Sequence, residues 1–114
     1  MNIKRGEVWL ANLDPTVGSE IQKTRPVLIV SNDFNNIHNQ VVTVLPVTSN
    51  TTKIFSFEVF LPVGIANLPK DSKVKSDQIR TLDKSRLSKR IGSIPDEYMV
   101  LVENAMKLHL GISA

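Results

Sequence analysis

Short apolar runs alternate with polar turns along most of the chain, a pattern typical of a mainly β protein. Strands are predicted from Glu7 to Leu13, from Pro26 to Ser31 and from Val41 to Val47. The second and third runs are almost continuously apolar, as in strands that are buried on both faces. We therefore expect these two strands to pair at the centre of a sheet.

Later strands are marked by weaker signals. Between residues 55 and 61 large apolar side chains recur at every second position, with Ser56 and Glu58 between them, so a half-buried strand is predicted there. Residues 74–81 give a weaker strand signal, and residues 86–91 indicate a short strand or a turn. The pieces between strands are too short for crossover helices, which favours a small, partly closed antiparallel barrel.

One helix is predicted at the carboxyl end. It should begin near Ser93 as the N-cap, with Pro95 in its first turn, and end at Gly111. Its apolar stripe should pack on the sheet. The stripe consists of Tyr98, Leu101, Val102, Ala105, Met106 and His109.

Length and composition limit the class of protein. The 114 residues are expected to form a single domain over 1–114, large enough for a core without disulfides. The chain lacks cysteine, which fits a reducing cytosol. We expect a cytoplasmic protein, because the first residues lack a signal-peptide core and no run reaches the roughly 18 apolar residues of a membrane span.

The charge is unevenly distributed along the chain. Residues 70–90 hold eight basic against three acidic residues, a balance of +5, whereas the rest of the chain carries −2. This asymmetry suggests a side that faces a polyanion. A solvated basic surface is the alternative.

Several common catalytic sites are excluded by their missing motifs. The sequence has no glycine-rich phosphate loop, no HExxH, no Gly-x-Ser-x-Gly and no tight cluster of acids for two metals. A two-histidine ribonuclease site would need His38 and His109 to meet. However, His38 lies in the polar turn at residues 35–39 and His109 on the helix stripe, so both are predicted to be structural.

Arg25 is the first candidate for a catalytic residue, because it directly precedes a predicted buried strand. It follows a loop that contains Ser19, Glu20 and Lys23. A guanidinium in that place can clamp a phosphate through two parallel hydrogen bonds. The alternative is an arginine that caps the strand or pairs with Glu20. Thr48 ends the next buried strand, so its hydroxyl and that of the following Ser49 should reach the same sheet edge if the strands are neighbours.

The segment from Ser76 to Arg80 is the second candidate. It leaves Asp77 or Gln78 free to read the edge of a base, and Arg80 free to meet a phosphate. A solvated edge strand protected by its charges is the alternative. Trp9 is expected to belong to the core.

Taken together, these segments resemble the MazF/PemK family of toxin endoribonucleases. The resemblance covers nearly the whole chain, in order and at suitable spacing. Its motifs are RGEVW at residues 5–9, GSE at 18–20, RPVLIVSND at 25–33, PVTS at 46–49 and DQIRTLD at 77–83.

The resemblance implies an SH3-like barrel with a C-terminal helix, assembled as a homodimer. It also implies a toxin of a bacterial type II toxin–antitoxin system that cuts single-stranded RNA at short sequences without a metal or another cofactor. The reaction implied is attack of a ribose 2′-OH on the adjacent phosphorus, which gives a 2′,3′-cyclic phosphate and a 5′-OH end.

By this resemblance Arg25 and Thr48 match the family's catalytic residues. The other positions expected to bind RNA lie in the loop before Arg25, after Thr48 and in the later motif. They are Ser19, Glu20, Lys23, Thr24, Ser49, Asp77, Gln78 and Arg80. Some members have a histidine in place of Thr24, so a proton transfer assisted by that histidine is not expected here. Arginine stays protonated, which makes Arg25 an electrostatic stabiliser and leaves the general base unassigned.

The family also implies a partner, an antitoxin whose disordered tail covers the RNA groove. An acidic, partly apolar peptide would suit the basic segment from Lys70 to Arg90. Two alternative functions stay open. One is a gyrase-poisoning toxin of the same fold, and the other is a barrel that binds RNA or peptide without catalysis.

Overall fold

The computed structural model describes residues 2–113 and confirms the mainly β architecture with a C-terminal helix. Three 3₁₀ turns also occur, at Ile65–Asn67, Ser76–Gln78 and Lys84–Arg86. The strands are β1 (Glu7–Asn12), β2 (Thr24–Ile29), β3 (Val41–Thr48), β4 (Glu58–Leu61), β5 (Ser72–Lys75), β6 (Arg80–Asp83) and β7 (Leu87–Ser93). The helices are α1 (Asp33–His38) and α2 (Asp96–Leu110).

The strands form one antiparallel sheet in the order β4-β5-β3-β2-β1-β7, and β6 also pairs with β3. The predicted pairing of the second and third strands is confirmed, with Val27 opposite Pro46. Strand β3 pairs with β6 along its first half and with β5 at its end. Because β3 has two sets of partners on one edge, the sheet bends there and curls into a small barrel.

The sheet buries apolar side chains on both faces. Val27 and Ile29 belong to one cluster, together with Trp9 of β1. Leu28 and Val30 belong to the other cluster, which α2 covers. Burial of β2 on both faces is therefore confirmed. So is the core position of Trp9, whose indole Nε1 donates a hydrogen bond to Glu7 Oε1 at 3.1 Å.

Helix α2 begins later than the sequence predicts. Ser93 is the last residue of β7, opposite Glu7, and Pro95 occupies the N-cap position. The prediction was wrong because the Ile94 N–H bonds to the Gly6 carbonyl and thereby keeps the chain on the sheet. The predicted end is confirmed. Gly111 has a φ of 70°, a left-handed conformation that glycine adopts at little cost.

The buried stripe of α2 is narrower than predicted. Val102 and Ala105 are buried as expected, but Met99 takes the place of Leu101, which is 51% exposed. The prediction for His109 was also wrong, because residues 107–110 form a last turn that is exposed. Its ring lies 5.9 Å from that of Phe57 instead of entering the core. His38 is likewise exposed, at the end of α1, in a segment that the sequence suggested was a turn.

The first three strands differ from their predicted bounds by one or two residues, and two later segments differ more. Only residues 58–61 of the segment 55–61 form a strand, and Glu58 is buried although the period of two placed it on the solvent face. The lysines of β5 pair with Glu58 and so permit its burial. The run at 74–81 is broken by the 3₁₀ turn Ser76–Gln78. The last strand signal corresponds to β7.

Candidate functional site

Arg25, near the start of β2, and Thr48, the last residue of β3, lie at the same edge of the sheet. The β2–β3 ladder pairs Val27 with Pro46, and extending this register by two residues places Arg25 opposite Thr48. Both residues line a cavity of about 150 Å³, called the strand-end cavity below. Ser49, Leu68, Lys70 and Ser72 are among its other lining residues.

The Arg25 side chain is exposed, and little in the protein engages it. Its Nε donates to the Gln22 carbonyl at 3.3 Å. Within residues 2–113 it forms no salt bridge, so the alternative of an Arg25–Glu20 pair is wrong. Instead the Glu20 carboxylate accepts a hydrogen bond from the Val17 N–H. The guanidinium carries five N–H donors, and the other four have no acceptor in the described chain.

The Thr48 hydroxyl is held in place by its own turn. Its Oγ1 accepts a hydrogen bond from the Asn50 N–H at 3.3 Å. On its other side, Thr48 pairs with Lys73 in the β3–β5 ladder. A hydroxyl that accepts in this way still has its hydrogen to donate, so the group can bind an anionic oxygen from a fixed position.

A second cavity, of about 330 Å³, lies beside the loop between β1 and β2. The break between β5 and β6 forms one wall, because the 3₁₀ turn carries Asp77 and Gln78. This loop cavity is lined by Ser19, Glu20, Asp77, Gln78, Ile79 and Arg80. Of the ten sequence-predicted residues, three line the strand-end cavity and five line the loop cavity, whereas Lys23 and Thr24 line neither.

Gln78 is already bonded to the loop. Its Oε1 accepts from the Ile21 N–H at 2.7 Å, and its Nε2 donates to the Ser19 carbonyl at 3.2 Å. Of the two residues considered for reading a base, Gln78 is therefore occupied within the protein. Asp77 is the one whose carboxylate the loop does not use.

The base of the loop is also fixed by hydrogen bonds. Arg80 Nη1 donates to the Leu13 carbonyl at 3.2 Å. The Lys23 N–H donates to Asp14 Oδ1 at 3.0 Å, and Lys23 has a φ of 69°. Thr24 is exposed at the start of β2, opposite Asn12. These contacts set the direction in which the chain enters β2 and so place Arg25.

Some basic residues of the segment 70–90 form salt bridges that stabilise the fold. Glu58 is fully buried and forms salt bridges with Lys73 at 3.1 Å and Lys75 at 2.7 Å. Burial favours the protonated carboxyl, but hydrogen bonds from Lys75, the Phe55 N–H and Lys73 together outweigh burial and lower the pKa of Glu58. Arg90 pairs in the same way with Glu7, at 2.7 Å.

Sequence reasoning missed Lys70 as a site residue, although it lies in the basic segment. It lines the strand-end cavity together with Arg25 and Thr48. The high charge of residues 70–90 was the available signal, but it did not separate Lys70 from the lysines that pair with Glu58.

Between residues 2 and 113, no three histidine, aspartate or glutamate side chains are grouped so that they could hold a metal ion. No helix of that part of the chain is long and apolar enough to cross a membrane.

Comparisons with known proteins show the family of the chain. Residues 4–110 match the family model of the PemK-like, MazF-like toxins of type II toxin–antitoxin systems. The chain is 38% identical to the endoribonuclease MazF9 of Mycobacterium tuberculosis, over 96% of this chain and 98% of that protein.

Solved structures with the same fold include MazF from Deinococcus radiodurans. One structure has a TM-score of 0.86 at 27% identity and covers 98% of this chain and 99% of that one. A MazE–MazF structure from the same organism has a TM-score of 0.78 at 25% identity, with 99% of both chains covered. The chain therefore belongs to the PemK-like, MazF-like family of toxins of type II toxin–antitoxin systems.

Proposed function

We propose that this protein is the toxin of a type II toxin–antitoxin system and acts as a metal-independent endoribonuclease that cuts single-stranded RNA at a short sequence. The observation that carries the proposal is the meeting of Arg25 and Thr48 at one cavity, where a guanidinium and a hydroxyl both keep donors unused by the protein. The 38% identity to an endoribonuclease over nearly the full length supports the same activity.

The proposed chemistry transfers a phosphoryl group within the RNA chain. The ribose 2′-oxygen bonds to the adjacent phosphorus, and the bond from phosphorus to the 5′-oxygen of the next nucleotide breaks. The 2′-OH gives its proton to a base not yet assigned, and the leaving 5′-oxygen takes up a proton. Negative charge develops on the non-bridging oxygens, where the Arg25 guanidinium and the Thr48 hydroxyl stabilise it from a rigid sheet edge.

The residues around these two bind the RNA chain. Ser49 donates a second hydroxyl at the strand-end cavity, and Lys23 and Thr24 flank the entry to β2. Ser19, Glu20, Asp77, Gln78 and Arg80 form the loop cavity, which receives an unstacked base. Gln78 acts there mainly by holding the loop, and Asp77 by contact with the base.

The proposed assembly is a homodimer in the bacterial cytoplasm, with residues 1–114 acting as one domain. A cognate antitoxin with a disordered, acidic and partly apolar tail binds the toxin and blocks the RNA. The MazE–MazF structure with the same fold supports a protein partner for the toxin.

The test is cleavage of a long single-stranded RNA of varied sequence by the purified protein, with and without EDTA. We expect cuts at a recurring short motif, with 5′-OH and 2′,3′-cyclic phosphate ends, unaffected by EDTA. A substrate with one 2′-deoxyribose on the 5′ side of the cut should stay intact at that position. RNA that stays intact at high protein concentration would refute the nuclease and point instead to gyrase poisoning or to binding alone.

A further inference from the structure

A chain of charged side chains runs from the interior to the loop cavity. Glu58 has no exposed side-chain surface, Lys75 is 17% exposed and Asp77 is 30% exposed. Lys75 Nζ lies 2.7 Å from Glu58 Oε2 and 3.7 Å from Asp77 Oδ1. The salt bridge with Glu58 thus holds the Lys75 ammonium in place, where it faces the carboxylate of Asp77.

The orientation of the Asp77 carboxylate depends on the Lys75 ammonium. Its Oδ1 is buried and has no hydrogen-bond partner among the described residues. Its one salt bridge in that part of the chain is the contact with Lys75. A buried carboxylate oxygen without a hydrogen bond is costly, so a nearby cation is what keeps it turned inward. The exposed part of the side chain is then presented to the loop cavity.

Lys73 offers an internal comparison. It also pairs with Glu58, and its Nζ donates to the Lys53 carbonyl at 2.6 Å. Unlike Lys75, it has no salt bridge with Asp77 within residues 2–113. The two lysines therefore share the buried carboxylate but differ in their contact with the cavity.

We propose that Lys75, pinned by Glu58, is a positioning residue that orients Asp77 and thereby sets which base the loop cavity accepts. This inference rests on the proposed function, because it assumes that the cavity binds a base of single-stranded RNA. A base with an exocyclic amine opposite the exposed carboxylate oxygen would donate a hydrogen bond to it. Without the Lys75 ammonium the Asp77 side chain can turn, and the hydrogen bond to the base loses its fixed geometry.

The experiment measures base preference by binding, so that it is independent of cleavage. Arg25→Ala protein, in which the RNA should stay intact, is titrated by fluorescence anisotropy with short single-stranded RNAs that differ at one base. The ratio of affinities for the best and worst base is insensitive to the folded fraction of a variant. We expect Lys75→Gln to reduce this ratio about tenfold, the worth of one hydrogen bond to a charged group.

Lys73→Gln is the matched control, since it removes an equal charge from the same buried carboxylate. We expect it to lower stability and leave the ratio unchanged. Asp77→Asn should reduce the ratio as Lys75→Gln does, and the double variant should show no further loss.

Three outcomes would overturn the proposal. They are an unchanged ratio in Lys75→Gln, equal changes in Lys73→Gln and Lys75→Gln, and no base preference in the Arg25→Ala parent. A wild-type protein that binds with preference but does not cut RNA would instead refute the proposed nuclease and leave the positioning role supported.

Discussion

The strand-end cavity and the loop cavity differ in how far the protein already uses their polar groups. At the strand-end cavity, Arg25 has one hydrogen bond and Thr48 keeps its hydroxyl hydrogen. In the loop cavity, Gln78 is bonded through both ends of its amide, and Arg80 is bonded to the loop. Groups that are free to donate suit a developing charge, whereas groups that are already bonded fix the shape of a surface. The difference suggests that one cavity cuts the RNA and the other holds it.

The largest effect is expected from Arg25→Ala. Loss of the proposed charge stabiliser should lower kcat by about 10³-fold. The Tm should stay within about 3 °C, because the side chain is exposed and makes one long hydrogen bond. Single-turnover cleavage and thermal unfolding measure the two effects. The matched control is Lys107→Ala, which removes an exposed positive charge from α2 and should leave kcat unchanged.

Thr48→Val should lower kcat by about 10²-fold, because it removes one preorganised donor while keeping the shape of the side chain. Thr48→Ser keeps the hydroxyl and should retain most of the activity. Rates at saturating RNA check this pair. Equal losses in both variants would contradict the proposed role of the hydroxyl, because Thr48→Ser keeps that group.

Gln78→Ala should act on binding more than on chemistry. The loop loses the bonds at Ile21 and Ser19, so we expect a KM about tenfold higher with kcat little changed. Hydrogen exchange at residues 17–22 should become faster. Gln40→Ala, which removes an exposed contact with Asp83, is the control and should change neither quantity. A fall in kcat with an unchanged KM would contradict the separate roles of the two cavities.

The smallest expected effect concerns the pH dependence of stability, which is seen in acid and not at neutral pH. Hydrogen bonds from Lys75, the Phe55 N–H and Lys73 lower the pKa of Glu58 below its ordinary 4.5 despite its burial, and the Arg5 N–H lowers that of Asp33 below 3.8. Lowered folded-state pKa values stabilise the protein above the ordinary values, and this contribution is lost as the pH falls through the lowered ones. The free energy of unfolding should therefore stay level down to about pH 5 and fall below about pH 4.

Urea unfolding at several pH values measures this loss. Glu58→Gln should flatten the acid slope, because the variant has no proton to take up at that position. Glu97→Gln, at an exposed position in the first turn of α2, should keep the slope. A slope that is the same in both variants would contradict the assignment to Glu58.

The sequence predicted the parts of the fold that depend on local pattern. The apolar runs of β2 and β3, their pairing and the glycine that ends α2 follow from periodicity and from backbone preference. The short pieces between strands favoured a small barrel, and the family resemblance, confirmed by the match over residues 4–110, added that it is SH3-like. The short break at Ser76–Gln78 was not predicted, because one turn of 3₁₀ helix leaves no periodic signal in so short a run.

Other differences from the sequence predictions arise from contacts between residues far apart in the chain. Glu58 was predicted to be solvated because its neighbours alternate, yet it is buried against lysines 15 and 17 positions away. Likewise the sequence left the Gln78 amide free to read a base, whereas in the structure it bonds to a loop 57 positions away. The roles of the site residues stay predictions, since a residue type does not say which donors the fold has already used.

One experiment tests most directly whether the two cavities have separate roles, because it measures cleavage and base preference in a variant of each cavity. Arg25→Ala and Asp77→Asn are each assayed with one pair of RNAs that differ at a single base, for the cleavage rate constant at saturation and for the ratio of affinities. We expect Arg25→Ala to lose the rate and keep the ratio, and Asp77→Asn to keep the rate on the better RNA and lose the ratio. If each variant changes rate and ratio together, the two cavities do not have separate roles.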